Sequence, residues 1–369
     1  MKPIRILLLS GGSLVGQNVL DSLADRRDAV ELMATNSVAT DVSLFEFDRV
    51  FLTPPTAEDP AAFARRLSEI LDEHDPDLVI PCRDDDVVFL AQLAERRPDI
   101  AGRFLCGSTA AALASVDKWA SWQFARDRGL PFAPTAATPL APSEARTFAD
   151  EHGLPLIAKP RWGFASRGVR ILVNHAQILC ASSHDGHVIQ AFLGDARGVT
   201  DYLQNLEQAG IPLFHSFEGI KHSIQIVIAP DGTSAGSFCS RNVNRNGTSL
   251  RLDRYEGADA QAIADRCHDA FSEAGWRGPL NIQCQQTPDG NILIYEFNGR
   301  ISGATAARRV MGFDELGLVV RAFAGRELPP SRAAACRVDT VIRRAIDIAL
   351  RQDLIEQLER DQTWQGSPQ

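Results

Sequence analysis

The first third of the chain alternates short apolar runs with amphipathic segments. The apolar runs predict β-strands at residues 4–9, 30–35, 50–52, 78–80 and 104–106. Apolar positions with helical spacing predict helices at 14–26, 61–73 and 87–96. Because continuous apolar strands that alternate with helices form a sheet covered on both faces, this pattern predicts an open parallel α/β domain at residues 1–107.

The turns of this domain carry the first candidate chemistry. The glycine turn at 11–16 lacks the G-x-G-x-x-G spacing, and the strand at 30–35 is followed by Asn36-Ser37 instead of an acid that could bind a ribose. A dehydrogenase is therefore disfavoured. Three carboxylates at 84–86 precede a helix, where capping explains them, although substrates also bind at this edge of a parallel sheet.

A second pattern, strict alternation on both sides of an Asp-Gly dipeptide, predicts a β-hairpin at residues 278–300. A two-residue turn there would place Gln283 opposite Glu296 and Asn281 opposite Asn298. One face of the hairpin would then carry oxygen atoms, and the other would be apolar.

The polar face of this hairpin is a candidate metal site. Side-chain oxygens of Gln283, Glu296 and Asn298 would converge there, with Arg300 further along the same face, whereas Tyr295 would lie on the apolar face. Oxygen ligands suit a hard cation such as Mg²⁺ bound to phosphates. The alternative is an ordinary hairpin with a solvated polar face.

Lys159 lies in an apolar strand at 155–160, a position that is unusual for a surface residue. Lys118 follows Asp117, a predicted N-cap, and as a lone lysine on a helix would face solvent. A buried lysine needs an anionic partner, and the Gly/Ser-containing loop at 161–169 could supply backbone N–H groups to the same phosphates.

Composition and charge limit the classes of partner. The 369 residues carry 47 acidic and 38 basic side chains, a formal charge of −9, which does not favour nucleic acid or an anionic membrane as a partner. Seven scattered cysteines without a C-x-x-C pair predict reduced thiols and a cytoplasmic protein. No segment is long and apolar enough to predict a membrane span.

Taken in order, these motifs resemble the ATP-grasp superfamily, in the branch of carbamoyl-phosphate synthetase and biotin carboxylase. The hairpin is similar to the metal-binding hairpin of that family, and Asp117-Lys118 resembles the start of its nucleotide-binding domain. The resemblance implies a pre-ATP-grasp domain at 1–107 and an ATP-grasp domain at 108–330, with a lid subdomain at about 155–193. A strand-helix extension would follow at 331–369, with a frayed tail from Thr363.

The resemblance also implies roles for individual residues. Those implied to hold the nucleotide are Lys118, Lys159, Ser166, Gly168, Gln190, Ala191, Phe192 and Leu193. The implied ligands of Mg²⁺, with Mn²⁺ as an alternative metal, are Gln283, Glu296 and Asn298. Two arginines, Arg300 and Arg241, are implied to face the substrate.

Some positions depart from the pattern of the family. Gln190 stands where many relatives have Glu, residues 221–225 offer no carboxylate for a ribose, and Ala165 stands where a glycine is frequent. The segment at 194–218, with a predicted helix at 199–209, is longer than a tight connection.

The implied activity is that of an ATP-dependent ligase. It would activate a small-molecule carboxylate as an acyl phosphate for attack by an amine and give an amide, ADP and phosphate. The alternative is a degenerate ATP-grasp protein that binds a nucleotide without ligating anything. The oligomeric state that this resemblance implies is a homodimer.

Overall fold

The computed structural model describes residues 2–163, 166–210, 217, 220–245, 248–331, 337–344 and 348–366. Within these ranges the strands are β1 (Ile4–Leu9), β2 (Val30–Asn36), β3 (Arg49–Leu52), β4 (Leu78–Pro81), β5 (Thr135–Ala137), β6 (Leu156–Pro160), β7 (Arg170–Leu172), β8 (His187–Ala191), β9 (Ile220–Ile228), β10 (Ser234–Arg245), β11 (Thr248–Arg254), β12 (Gly278–Gln286), β13 (Ile292–Asn298), β14 (Thr340–Ile342) and β15 (Thr363–Gln365). The helices there are α1 (Leu14–Leu23), α2 (Pro60–His74), α3 (Asp84–Arg96), α4 (Thr109–Val116), α5 (Lys118–Asp127), α6 (Pro142–His152), α7 (His175–Ser182), α8 (Ala196–Ala209), α9 (Ala258–Glu273), α10 (Thr305–Val310), α11 (Glu315–Ala324) and α12 (Gln352–Asp361), with short 3-10 turns at Arg27–Ala29, Val42–Glu46 and Ala101–Arg103. None of these described helices has the length and apolar character needed to cross a bilayer.

The first sheet has the strand order β15-β3-β2-β1-β4, and β1 to β4 are parallel, as predicted. Two details of the prediction are wrong. The segment at 104–106 makes only an isolated bridge from Phe104 to Val79, because its backbone leaves the sheet at once. Residues 363–365, where we expected the frayed tail to begin, form β15, antiparallel to β3, and Trp364 pairs with Val50.

The second sheet is antiparallel, in the order β13-β12-β9-β10-β11-β14. Its apolar face shares one cluster of buried side chains with the first sheet, including Leu7, Phe104, Trp276 and Ile282. Burial of this apolar surface is the main force that holds the two sheets together. It keeps the carboxyl edge of the first sheet beside the polar face of the second.

A third, four-stranded sheet has the order β5-β8-β6-β7 and a small core of its own, with Ala149, Leu156 and Ile189. This sheet and its core correspond to the expected lid. They also include β5 and residues of α6, both of which precede residue 155. We therefore propose a lid subdomain that begins near residue 135. Helix α8 agrees with the helix predicted at 199–209, and the rest of the 194–218 segment is described only in part.

The C-terminal extension contacts both larger sheets. Strand β14 pairs with β11 in the second sheet, while β15 pairs with β3 in the first. Between them, α12 buries Leu358 completely. The extension therefore joins the N-terminal region to the second sheet.

Candidate active site

The hairpin of β12 and β13 has the predicted register at its polar end. Gln283 faces Glu296, and Asn281 faces Asn298. Asn281 is buried, and its amide donates to the Ser223 hydroxyl at 2.9 Å. The polar face is thus tied to β9, which limits its freedom to rearrange.

The turn of this hairpin differs from the prediction in a way that leaves the site unchanged. The Thr287 N–H donates to the Asn291 carbonyl at 2.8 Å, so three residues form the loop instead of two. That extra residue would shift the pairing by one position. A β-bulge cancels the shift, because the register changes between Gln283 and Cys284 and leaves Tyr295 without a partner in β12.

The bulge turns Tyr295 toward the polar face, so its predicted place on the apolar face is wrong. Its hydroxyl donates to Gln283 Oε1 at 2.7 Å, and its carbonyl oxygen lies 3.0 Å from the Lys159 Nζ. The ammonium of Lys221 lies 5.0 Å from the centre of the ring. Tyr295 therefore contacts both a candidate metal ligand and two cations.

The two predicted lysines meet at this hairpin from different elements. Asp117 caps α5 and forms an ion pair with Arg161 at 2.6 Å, which fixes Lys118 at the start of the helix. The Lys118 Nζ lies 3.3 Å from Glu296 Oε1. Lys159, on β6, donates to Gln190 Oε1 at 2.8 Å. Both lysines are buried.

Burial and charge determine the protonation of these groups. Burial lowers the pKa of Lys159 to about 7, and Glu296 only partly opposes this effect. Burial alone would raise the pKa of Glu296, but the positive charges of Lys118 and Lys159 outweigh it and lower the pKa below its usual value. Glu296 is therefore a carboxylate at neutral pH.

Two cavities adjoin the hairpin. The smaller one, of about 270 Å³, lies between the third sheet and the hairpin. The predicted nucleotide-holding residues that line it are Lys118, Lys159, Ser166, Gln190, Ala191, Phe192 and Leu193. Gly168 is not among the lining residues. Its φ of +73° shapes the loop that carries Ser166. Ala165, where we expected a glycine, lies outside the described residues.

A larger cavity of about 480 Å³ lies between the first and second sheets. All three candidate metal ligands line it, together with Arg300. The residues that line both cavities are Ser166, Arg167, Lys221, Tyr295 and Glu296. The two cavities therefore meet at Glu296, which is where a group bound in one could react with a group bound in the other.

Arg300 connects the hairpin to the first sheet. Its Nε donates to Asp84 Oδ1 at 2.8 Å, and its Nη2 donates to Asn298 Oδ1 at 3.0 Å. Asp84 is buried in the first turn of α3, so the acidic run at 84–86 does more than cap the helix. Asp86 serves as the capping acid by accepting from the Arg83 N–H at 3.1 Å.

The structure does not place Arg241 in either cavity, so its predicted position facing the substrate is corrected. Side chains alternate along β10, and Asn242 points into the larger cavity. Arg241 points to the other face, is exposed, and lies 5.6 Å from the centre of the Tyr255 ring.

Several cavity residues escaped the sequence analysis. Arg83, Lys221 and Arg343 line the larger cavity but belong to no recognised motif. Alternation along β9 could have indicated Lys221, because it lies two residues before Ser223 on the same polar face. Arg343 had no such signal, since it comes from the C-terminal extension and donates to the Gly303 carbonyl at 2.7 Å.

The donor set of the hairpin fits a magnesium ion. Gln283 and Asn298 each have one hydrogen bond to their oxygen, from Tyr295 and Arg300, and amide oxygens have a second lone pair available. Glu296 supplies the formal negative charge. Three oxygen donors, one of them charged, suit Mg²⁺ when phosphate oxygens complete the shell.

Comparisons with known proteins agree with this architecture. No family model matches the sequence, and no curated protein matches it. Many solved structures nevertheless have a similar fold. The chain therefore has the predicted ATP-grasp fold, an α/β domain followed by an α+β domain.

Three of these structures illustrate the similarity. The biotin carboxylase domain of 2-oxoglutarate carboxylase from Hydrogenobacter thermophilus, a dimer with MgADP, ADP and bicarbonate, is 16% identical (TM-score 0.62; 90% of this chain, 72% of that chain). Carboxyaminoimidazole ribonucleotide synthase from Aspergillus clavatus, complexed with ATP, is 15% identical (TM-score 0.63; 90% and 79%). L-amino acid ligase from Bacillus licheniformis is 15% identical (TM-score 0.58; 88% and 75%). At such identities the similarity establishes the fold.

Proposed function

We propose that this protein is an ATP-dependent ligase that joins a small-molecule carboxylate to an amine. A carboxylate oxygen attacks the γ-phosphorus of ATP and ADP leaves. The amine nitrogen then attacks the acyl carbon, phosphate leaves, and the nitrogen loses a proton to give the amide. The observation that carries this proposal is the position of Glu296, which is held by Lys118 where the two cavities meet.

The smaller cavity is the proposed nucleotide site. The backbone of 191–193 would contact the base, and Lys118 and Lys159 would neutralise the phosphates beside Ser166. Phosphoryl transfer requires mainly positioning and charge neutralisation, which two buried lysines provide without a protein nucleophile. Complexes of structural neighbours with ATP and with MgADP support this choice of cofactor.

Gln283, Glu296 and Asn298 are the proposed magnesium ligands. A bound Mg²⁺ would neutralise charge on the phosphate oxygens during transfer. Tyr295 orients the Gln283 oxygen, and Arg300 orients that of Asn298. Both amide ligands are therefore positioned by a second residue, as metal sites generally require.

The larger cavity is the proposed site of the carboxylate. Arg300 lines it next to the metal face and could bind the reacting carboxylate or the acyl phosphate. The cavity joins the nucleotide site at Glu296, so a carboxylate bound there has direct access to the γ-phosphoryl group. The amine would enter from the same cavity after ADP formation.

We also propose a cytoplasmic location and domains that end near residues 107 and 330. The location is supported by the free thiols of six described cysteines, five of which are buried. The domain limits are supported by the start of α4 at Thr109 and the end of α11 at Ala324. A homodimer remains part of the proposal, and size-exclusion chromatography with light scattering tests it.

The decisive experiment is an ADP-release screen of carboxylates against amines, with hydroxylamine as a substitute nucleophile. The proposal requires ADP and, with hydroxylamine, a hydroxamate. Glu296→Gln should abolish both signals. Asp289→Asn also replaces a carboxylate by its amide, but at an exposed site in the same hairpin, and should retain both signals. AMP formation without ADP would contradict the acyl phosphate. ATP binding with no turnover for any pair would favour the degenerate nucleotide-binding protein.

A further inference from the structure

The larger cavity contains more positive than negative charge. Its cationic lining residues are Arg83, Arg167, Lys221, Arg300 and Arg343. Its acidic lining residues are Asp41 and Glu296. Glu296 is already paired with Lys118, and Arg300 with Asp84, which leaves four cations against one acid. A cleft lined mainly by one sign of charge concentrates ligands of the opposite sign. The cavity therefore favours an anionic ligand beyond the phosphates of the nucleotide.

Two of these cations lie apart from the junction of the cavities. Arg83 and Arg343 line the larger cavity but not the smaller one. Arg83 follows β4 at the carboxyl edge of the first sheet, and Arg343 follows β14 in the C-terminal extension. The two arginines are far apart in the sequence, so it is the fold that brings both guanidinium groups to one cavity.

Neither guanidinium forms an ion pair with a described residue. No carboxylate oxygen of a described residue lies within 4.0 Å of Arg83 or Arg343. Arg343 makes one hydrogen bond, to the Gly303 carbonyl at 2.7 Å, and its partial burial lowers its pKa. The negative charge of Asp21 opposes this effect only in part. A partly buried guanidinium without an ion pair is a strong binding group for an anion.

The backbone around these arginines adds to the positive potential. Ser13 caps α1, and Ser13, Leu14 and Val15 line the same cavity, so the positive end of this ten-residue helix faces it. The one acid there, Asp41, accepts from the Asn36 amide at 2.9 Å. Apart from the residues of the hairpin and of the junction, the lining thus contains two guanidinium groups and a helix N-terminus against one carboxylate.

We infer that the carboxylate substrate carries a second anionic group, which Arg83 and Arg343 bind while the reacting carboxylate lies beside Arg300 and Glu296. This inference rests on the proposed function for the identity of the reacting group. The second group is a carboxylate or a phosphate, because the planar fork of arginine binds both in a bidentate manner. A volume of about 480 Å³ accommodates a small diacid or phosphorylated acid together with the entering amine.

The test uses pairs of compounds that differ in one anionic group: glutamate and glutamine, succinate and succinamate, phosphoserine and serine. Binding is measured by calorimetry with Mg²⁺ and a non-hydrolysable ATP analogue, and ADP release is measured with ATP. We expect the anionic member of at least one pair to bind at least about tenfold more tightly. The carboxylate and phosphate pairs distinguish the two kinds of anion.

Variants then assign the effect to these side chains. Arg343→Gln and Arg83→Gln should each weaken the anionic member about tenfold and leave the neutral member unchanged. Arg344→Gln, the same substitution at the exposed neighbouring position, should change neither. Equal binding within every pair would overturn the inference, as would an Arg343→Gln variant that weakens both members equally.

The same data separate this inference from the proposed function. Arginine-dependent binding of an anionic compound without ADP release in any combination would support the second anion site and contradict the ligase. ADP release that is stimulated equally by both members of every pair would support the ligase and overturn the second anion site.

Discussion

The buried Lys159 should make nucleotide binding depend on pH. Its Nζ donates to the Gln190 amide oxygen and to the Tyr295 carbonyl oxygen, neither of which carries a charge. Burial therefore lowers the pKa of Lys159 to about 7 in the nucleotide-free protein. A triphosphate beside it would favour the ammonium form, so binding above pH 7 should be accompanied by uptake of a proton.

The size of this effect follows from the fraction of Lys159 that is already charged. With a pKa of about 7, roughly half of the lysine is charged at pH 7 and roughly one hundredth at pH 9. If the bound form stays charged, the affinity for the nucleotide falls about 50-fold over this range, or about 2.3 kcal/mol. Below pH 7 the dependence on Lys159 should disappear.

Calorimetry measures both quantities. Titrating the protein with a non-hydrolysable ATP analogue and Mg²⁺ at several pH values, in two buffers of different ionisation enthalpy, gives the affinity and the number of protons taken up. Lys159→Arg is the control, because guanidinium stays charged throughout and should remove the pH dependence. A wild-type affinity that is constant from pH 7 to 9, without proton uptake, would refute the reasoning.

The same shift has a consequence for the free protein. The folded pKa of Lys159 lies below its usual 10.5, so between pH 7 and 10.5 the unfolded chain binds more protons than the folded one. The contribution of Lys159 to the free energy of unfolding should therefore rise with pH in this window. Gln190→Glu would place a carboxylate next to the ammonium and shift both effects to higher pH.

Three further predictions follow from particular contacts. Glu296→Gln should weaken the binding of magnesium and nucleotide and abolish turnover, since it removes the charged donor of the proposed metal site; a magnesium titration of ADP release tests this. Asp84→Asn should lower kcat about tenfold by weakening the ion pair that orients Arg300, and Asp84→Glu should partly restore it. Gly107→Ala should lower the free energy of unfolding by about 1–3 kcal/mol, because an added methyl group would overlap the backbone after α9, whereas Gly102→Ala has open space and should be neutral in urea denaturation.

The elements that the sequence predicted well are those with a local pattern. The parallel strands of the first sheet are continuous apolar runs, and the hairpin alternates strictly, so burial alone determines which side chains face the core. Lys159 was identifiable because a lone charge in an apolar strand requires a partner. Lys118 was indicated only by the resemblance of Asp117-Lys118 to a family motif.

The residues that the sequence analysis missed depend on contacts between distant parts of the chain. Arg83 and Arg343 are ordinary surface arginines by local criteria, and only the packing of the first sheet and the C-terminal extension brings them to one cavity. Arg241 was misplaced because its role was taken from the resemblance, whereas the alternation of side chains along β10 directs it away from the cavity that Asn242 lines. Strand β15 was missed because three residues are too short to show a period.

The bulge at Tyr295 shows why two local errors did not displace the predicted site. The longer turn and the bulge each change the pairing by one residue in opposite directions, so Gln283 still faces Glu296. The bulged residue does not use its carbonyl in the β12 ladder, and this oxygen accepts from Lys159 on β6 and from Gln190 on β8, at 3.0 and 3.4 Å. A regular hairpin would keep the metal face but lose this link to the third sheet. The bulge therefore connects the proposed metal site to the sheet proposed to hold the nucleotide, through a residue adjacent to Glu296.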